Sequence, residues 1–255
     1  MKRIVLSALV LPAMLAMAAA PAAADGWGSV TGKFVVNGNV PELPPLVKEG
    51  DPAAKDPAVC AAEPVPDDSL VVSDAGGLKN VVLFVNRFKG DIHPEAAKRP
   101  DEVVFDQKGC QFIPHILVVQ AGQTVLVKSD DDCAHNARGA LMRNDAFNLT
   151  VPPNERQGIK VETQVPELLP LPIKCDIHPY MIAHWLVVDH PYATVSAEDG
   201  TFTIENLPAG SHTIKAWHER PGYVGEKRGF KIDIEDGQTV DLGTIEIDAK
   251  DLLEN

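Results

Sequence analysis

The sequence predicts an all-β protein built as two successive β-sandwiches, and three observations predict it. Short runs rich in β-branched residues recur, each closed by a Gly, Pro, Asn or Asp turn signal about every 8 to 12 residues. Helical periodicity is nearly absent beyond residues 1–24. The runs also fall into two groups on either side of His190, which sets the expected boundary between a first unit over residues 25–190 and a smaller one over residues 191–250.

Residues 1–24 stand apart. Lys2 and Arg3 precede an apolar run over residues 4–19, and Ala22-Ala23-Ala24 supplies small residues for cleavage, which is the pattern of a secretory signal peptide. The expected location is therefore the periplasm or the outside of the cell. No stable membrane insertion is expected after cleavage, because no later apolar run approaches the ~20 residues a spanning helix needs. Losing Lys2 and Arg3 takes the formal charge from −13 to −15. Such acidity argues against nucleic acid and anionic membranes as partners and is compatible with a basic protein partner.

In the first unit, residues 28–36 alternate apolar and polar and read as a strand entering a turn at Asn37-Gly38. Residues 40–68, rich in proline and acid, read as a long surface loop extending the unit at its N-terminus. Residues 70–72 and 80–87 follow, the latter a continuous apolar run suited to a buried strand, and residues 93–98 read as one helical turn. Residues 112–120 and 124–128 then read as strand, turn and strand about Ala121-Gly122. Further strands are expected over 145–151, 158–163, 169–173 and 185–189. In the second unit, 193–195 and 201–205 are expected to form a hairpin about Asp199-Gly200, and 230–234 and 240–247 another about Gly237, with a strand over 212–218 between them. Residues 251–255 form an acidic tail, expected to fray.

The chemistry concentrates in residues 174–184, K-C-D-I-H-P-Y-M-I-A-H, where Cys175, His178 and Met181 stand at C-x2-H-x2-M spacing. A thiolate, an imidazole and a thioether on one short loop are a soft, mixed donor set that suits copper better than magnesium, calcium or a structural zinc. One more imidazole is needed from elsewhere, and His135, directly after a strand, offers it. Two imidazoles and a thiolate with a weak axial thioether are acceptable to both copper oxidation states, so little rearranges when an electron arrives. The expected cofactor is thus one mononuclear copper, carrying single electrons between redox partners, with a periplasmic copper carrier or buffer, or a cell-envelope polysaccharide-binding protein with a structural copper, as the alternatives. With Cys175 given to the metal, Cys60, Cys110 and Cys133 leave one pair and one odd thiol. The turn-like settings of Cys60 and Cys110 favour their pairing, although three cysteines allow three pairings.

The stretch over residues 112–188 resembles the cupredoxins, in F-I-P-H-I-L-V-V-Q-A-G-Q-T-V, in the dipeptide His135-Asn136 and in the C-x2-H-x2-M loop. The strand-Gly-strand-His-Asn arrangement is similar to plastocyanin, and the loop spacing to amicyanin. That resemblance implies a Greek-key sandwich, a blue-copper site of His135, Cys175, His178 and Met181, and electron transfer rather than enzymatic catalysis. It gives Asn136 the role of tying the two ligand loops together near the cysteine sulfur, and it makes the apolar rim of Pro179 and Tyr180, in the exposed loop that carries His178, the docking patch for a redox partner. Cys133, beside the remote ligand, and the length of residues 28–110 depart from the family pattern.

Residues 199–219, D-G-T-F-T-I-E-N-L-P-A-G-S-H-T-I-K-A-W-H-E, resemble the carboxypeptidase regulatory-like and carbohydrate-binding-like sandwich domains of transthyretin-like fold. The resemblance implies a spacer or docking module, with polysaccharide contact through Trp217 as an alternative to Trp217 serving the core. Other histidines carry quieter expectations: His115 in the core or beside the ligands, His184 near the site, and His190 at the junction of the two units. His218 beside Glu219 reads as surface rather than an acid–base pair.

Overall fold

The computed structural model describes residues 26–253, so the expected signal peptide lies outside the described residues. In chain order the elements are β1 (Trp27–Asn37), α1 (Pro57–Cys60), β2 (Val82–Val85), β3 (Glu102–Lys108), β4 (Gln111–Ile113), β5 (Ile116–Gln120), β6 (Thr124–Val127), β7 (His135–Gly139), β8 (Phe147–Val151) and β9 (Ile159–Glu162). They continue with β10 (Leu171–Lys174), β11 (Ile182–Val188), β12 (Ala193–Val195), β13 (Thr201–Pro208), β14 (Gly210–His218), β15 (Gly222–Tyr223), β16 (Phe230–Ile234), β17 (Thr239–Asp248) and α2 (Ala249–Leu253). The protein is all-β in class, the two helices among the described residues being single turns. No helix among the described residues is long and apolar enough to cross a membrane.

One sandwich faces a sheet ordered β5-β11-β10-β7-β8 against a sheet ordered β4-β3-β6-β9. Alternate residues of each strand point inward, and Phe105, Val125, Val127, Ile173, Trp185 and Val187 form its core. Trp185 sits edge-on to Phe105 and against Phe147, filling the space between the sheets.

The other sandwich corrects the expected boundaries. Its sheets are β13-β1-β17 and β12-β2-β14-β15, with β16 joined to β14. Residues 28–36 therefore belong to it and not to the first unit: β1 runs antiparallel to β13 and parallel to β17. Likewise β2 lies between β12 and β14. Alternation in residues 28–36 and a continuous apolar run in residues 80–87 marked both as strands, but neither pattern carries information about the partner, which here lies more than a hundred residues away. The sandwich that holds residues 175–181 is thus carried between the N-terminal and C-terminal parts of the other.

Neither expected hairpin forms. β12 pairs with β2 while β13 pairs with β1, and β16 pairs with β14 while β17 pairs with β1. The turns at Asp199-Gly200 and Gly237 are corners between layers, and Gly200 has room for no side chain: a Cβ there would stand 2.2 Å from the Phe34 carbonyl oxygen. Residues 112–120 are also two strands, separated at the cis peptide Ile113–Pro114. The tail does not fray through residue 253, since α2 buries Leu252 in the core.

The two sandwiches pack sheet on sheet. Ile116, Leu186 and Val188 of one meet Val82, Phe84 and Trp217 of the other. Trp217 is thereby buried in the seam and presents no free face for a sugar. His190, between β11 and β12, bonds within one sandwich, its Nε2 2.9 Å from the Val85 carbonyl and its Nδ1 accepting from the Tyr192 amide.

Candidate metal centre

Residues 175–181 are the loop joining the antiparallel strands β10 and β11, whose register sets Lys174 opposite Ile182. The loop is closed by the Cys175 amide donating to the Met181 carbonyl and the Met181 amide donating to that of His178. β7 runs beside β10, with Arg138 opposite Lys174. His135 begins β7, rather than lying in a loop after a strand, and this places its ring at the same end of the sheet as the loop.

The three nitrogen and sulfur donors meet. Nδ1 of His135 lies 3.0 Å from Nδ1 of His178, which lies 3.8 Å from Sγ of Cys175, and all three atoms fall within 4.8 Å of one another. His135 and His178 are fully buried and Cys175 almost so. Met181 is buried in the same core cluster. Two neighbouring groupings of donors include Cys60 or Cys110, whose sulfurs are joined in a disulfide and offer no thiolate.

Each imidazole is held from behind by a carboxylate. Nε2 of His135 stands 2.9 Å from Asp131 and Nε2 of His178 stands 3.1 Å from Asp56. A carboxylate that keeps a proton on Nε2 leaves Nδ1 as the nitrogen that gives up its proton when a metal arrives, and so selects the tautomer a ligand needs. Asp131 is itself fixed by the amides of Gly109 and Cys110, at 2.6 and 2.8 Å. Asn136 hydrogen-bonds across to the 175–181 loop and to β8. Its Oδ1 accepts from the amides of Asp176 and Ile177 and lies 3.4 Å from the Cys175 sulfur, and its Nδ2 donates to Asn148 and Asp176. The amides of Asn136 and His178 also donate to the Cys175 sulfur.

These contacts decide which thiol ionises. Burial opposes ionisation of Cys175, but hydrogen bonds from His135, His178 and the two amides bring its pKa down to about 6. Burial and then the charge of Asp131 push Cys133 up to about 12. Burial lowers the His135 pKa by itself, but its hydrogen bonds to Asp131 and Cys175 outweigh this and hold it at about 9 in the metal-free protein. Near neutral pH, Cys175 is thus the thiolate and Cys133, whose sulfur lies 3.5 Å from His135 Nε2, stays a neutral thiol.

The expectation of an exposed loop around His178 is corrected in part. His178 has no exposed surface, because residues 40–68 are not a free surface loop. α1 brings Asp56 onto His178, the Cys60–Cys110 disulfide staples the segment to the turn between β3 and β4, and Val47, Ala61 and Val65 form a small core against Tyr180. Of the expected docking rim only Pro179 is exposed; Tyr180 is half-buried. The sequence reading missed Asp56 and Asp131. The latter, four residues before His135, is one of three consecutive aspartates, and nothing in that run singles it out.

No family model and no curated protein sequence matches the chain. Among solved structures, a copper-containing nitrite reductase from Thermus scotoductus SA-01 is similar at 20% identity and a TM-score of 0.33, over 40% of this chain and 28% of its own length. Amicyanin from Paracoccus versutus is similar at 20% identity and a TM-score of 0.30, over 42% of this chain and 97% of its own. A purple cupredoxin from Nitrosopumilus maritimus is similar at 15% identity and a TM-score of 0.28, over 34% of this chain and 98% of its own. These likenesses are partial, and the assignment of fold rests on the sheets described above. None of them carries the resemblance of the second sandwich to regulatory-like domains.

Proposed function

We propose that this chain is an exported electron carrier that binds one copper ion through His135, Cys175 and His178, with Met181 as the weak axial ligand. The observation that carries the reading is the convergence of two buried Nδ1 atoms on one buried, ionised thiolate, with both rings locked from behind by carboxylates. Bound copper supplies the one-electron couple. The chain's own contribution is rigidity: Asp131, Asp56 and Asn136 fix the donors before the metal arrives, so the site has little to reorganise on electron transfer. Burial by the stapled segment excludes water and disfavours the handing on of metal, which argues against a copper carrier. On this reading a redox protein partner would dock at the exposed surface around Pro179.

Voltammetry of the copper-loaded chain tests this. The reading predicts a reversible one-electron wave, and a Met181→Leu variant that keeps copper but has a higher potential, since loss of an axial donor favours Cu(I). Loss of copper from that variant, or an irreversible wave in the parent protein, would contradict it.

A further inference from the structure

A second cluster of donors lies in the seam between the sandwiches. His115 precedes β5, His184 is on β11 and Glu219 follows β14, so both sandwiches contribute. One donor atom from each falls within 4.8 Å of the others. Nε2 of His115 meets Oε1 of Glu219, while Nδ1 of His184 lies 4.0 Å from Oε2 of the same carboxylate.

That second distance is informative. A hydrogen bond would need about 2.9 Å, and Nδ1 of His184 has no hydrogen-bond partner although it is buried. A buried nitrogen left unsatisfied costs about 1–3 kcal/mol. Two tetrahedral ligands of one divalent ion, each about 2.0–2.2 Å from it, stand roughly 3.3–3.6 Å apart. The separation is therefore too long for a hydrogen bond, and a bound cation would draw the two groups together by about half an ångström. Burial lowers the pKa of His184 to about 4, leaving its ring neutral with a lone pair at physiological pH. Burial opposes ionisation of Glu219, but its hydrogen bond to His115 keeps it below the usual carboxylate range. A cavity of about 230 Å³, lined by His115, Glu219 and Met181 among others, opens beside the cluster.

We propose that His115, His184 and Glu219 form a second metal site, for a divalent cation of the zinc class that takes imidazole and carboxylate donors. Three protein ligands leave a fourth position open, and the cavity beside His115 and Glu219 gives it room for water or a small anion. The site uses no residue of the Cys175 centre and stands whether or not that centre carries electrons.

The test is titration of the metal-stripped full chain with Co²⁺, counting bound ions by equilibrium dialysis and following absorption. Two equivalents are expected, one with a thiolate charge-transfer band and one without. Glu219→Gln and, separately, His115→Gln should weaken the band-free equivalent by on the order of 100-fold and leave the other in place, whereas Cys175→Ser should remove the band and spare the second site. The conserved charge-transfer band in the Glu219 and His115 variants reports that they remain folded. A single equivalent in the parent protein, or two equivalents bound as tightly by both variants, would overturn the proposal and leave His115–Glu219 as an ion pair joining the sandwiches.

Discussion

Asp131→Asn is the substitution that most sharply separates a positioned ligand from a merely buried one. The carboxylate takes three donors: the Gly109 amide on Oδ1, and the Cys110 amide and His135 Nε2 on Oδ2. Asparagine has one carbonyl oxygen, so at best it keeps the Cys110 and His135 contacts and turns its NH2 toward the Gly109 amide, donor against donor. That orphaned amide costs about 1–3 kcal/mol of stability. Loss of charge behind His135 weakens the grip on Nε2–H, and outer partners of this kind are worth about 10- to 100-fold in metal affinity, or roughly 1.4–2.8 kcal/mol. The assay is competition for copper against a chelator, alongside urea unfolding. Asp132→Asn is the control: its exposed carboxylate meets only Asn154, so both quantities should move by less than about 0.5 kcal/mol. A folded Asp131→Asn protein with parental copper affinity would refute the claim that this carboxylate orients His135.

Asp56→Ala should weaken copper binding less than Asp131→Asn, by under about 10-fold, because the Asp56 side chain is 38% exposed and water can replace it at His178; the same competition assay ranks the two, and the reverse order would count against the argument from burial. Replacing Cys60 and Cys110 together with alanine opens a loop of 50 residues and should cost about 4 kcal/mol by loop-closure entropy, seen as a lower urea midpoint; an unchanged midpoint would show that the staple contributes nothing. His218 is buried and its pKa is lowered to about 4 by that burial. The unfolded chain therefore takes up a proton that the folded one refuses as pH falls below about 6.5, so the stability is present above that value and lost on acidification. The contribution is roughly 2 kcal/mol between pH 7 and 5. Urea unfolding of the metal-stripped protein at the two pH values should show it, and a His218→Leu variant with the same pH dependence would contradict it.

What could be read from the residues was what lies close together in the chain. Cys175, His178 and Met181 share one loop, so their spacing alone set them side by side. His135 and Asn136 were found through their dipeptide, and the register of β7 on β10 supplied the meeting that spacing could not. Asp56 was illegible because it reaches His178 across 122 residues through a proline- and acid-rich segment with no period. The same segment hid the burial of His178. Strand existence was legible from alternation, and strand partnership was not: β1 looks the same whether it pairs with its neighbour in sequence or with β13 and β17. The corner glycines misled for a related reason, since a turn signal marks a reversal of the chain and does not say whether the next strand stays in the same layer. His184 and Glu219, on different sandwiches, come together only through that packing.

The most direct test of the central claim is the visible absorption spectrum of the Cu(II)-loaded chain beside its Cys175→Ser variant. The account predicts an intense thiolate-to-copper band in the parent protein and none in the variant. A band that survived Cys175→Ser, or a parent protein that bound copper at this site without one, would contradict it.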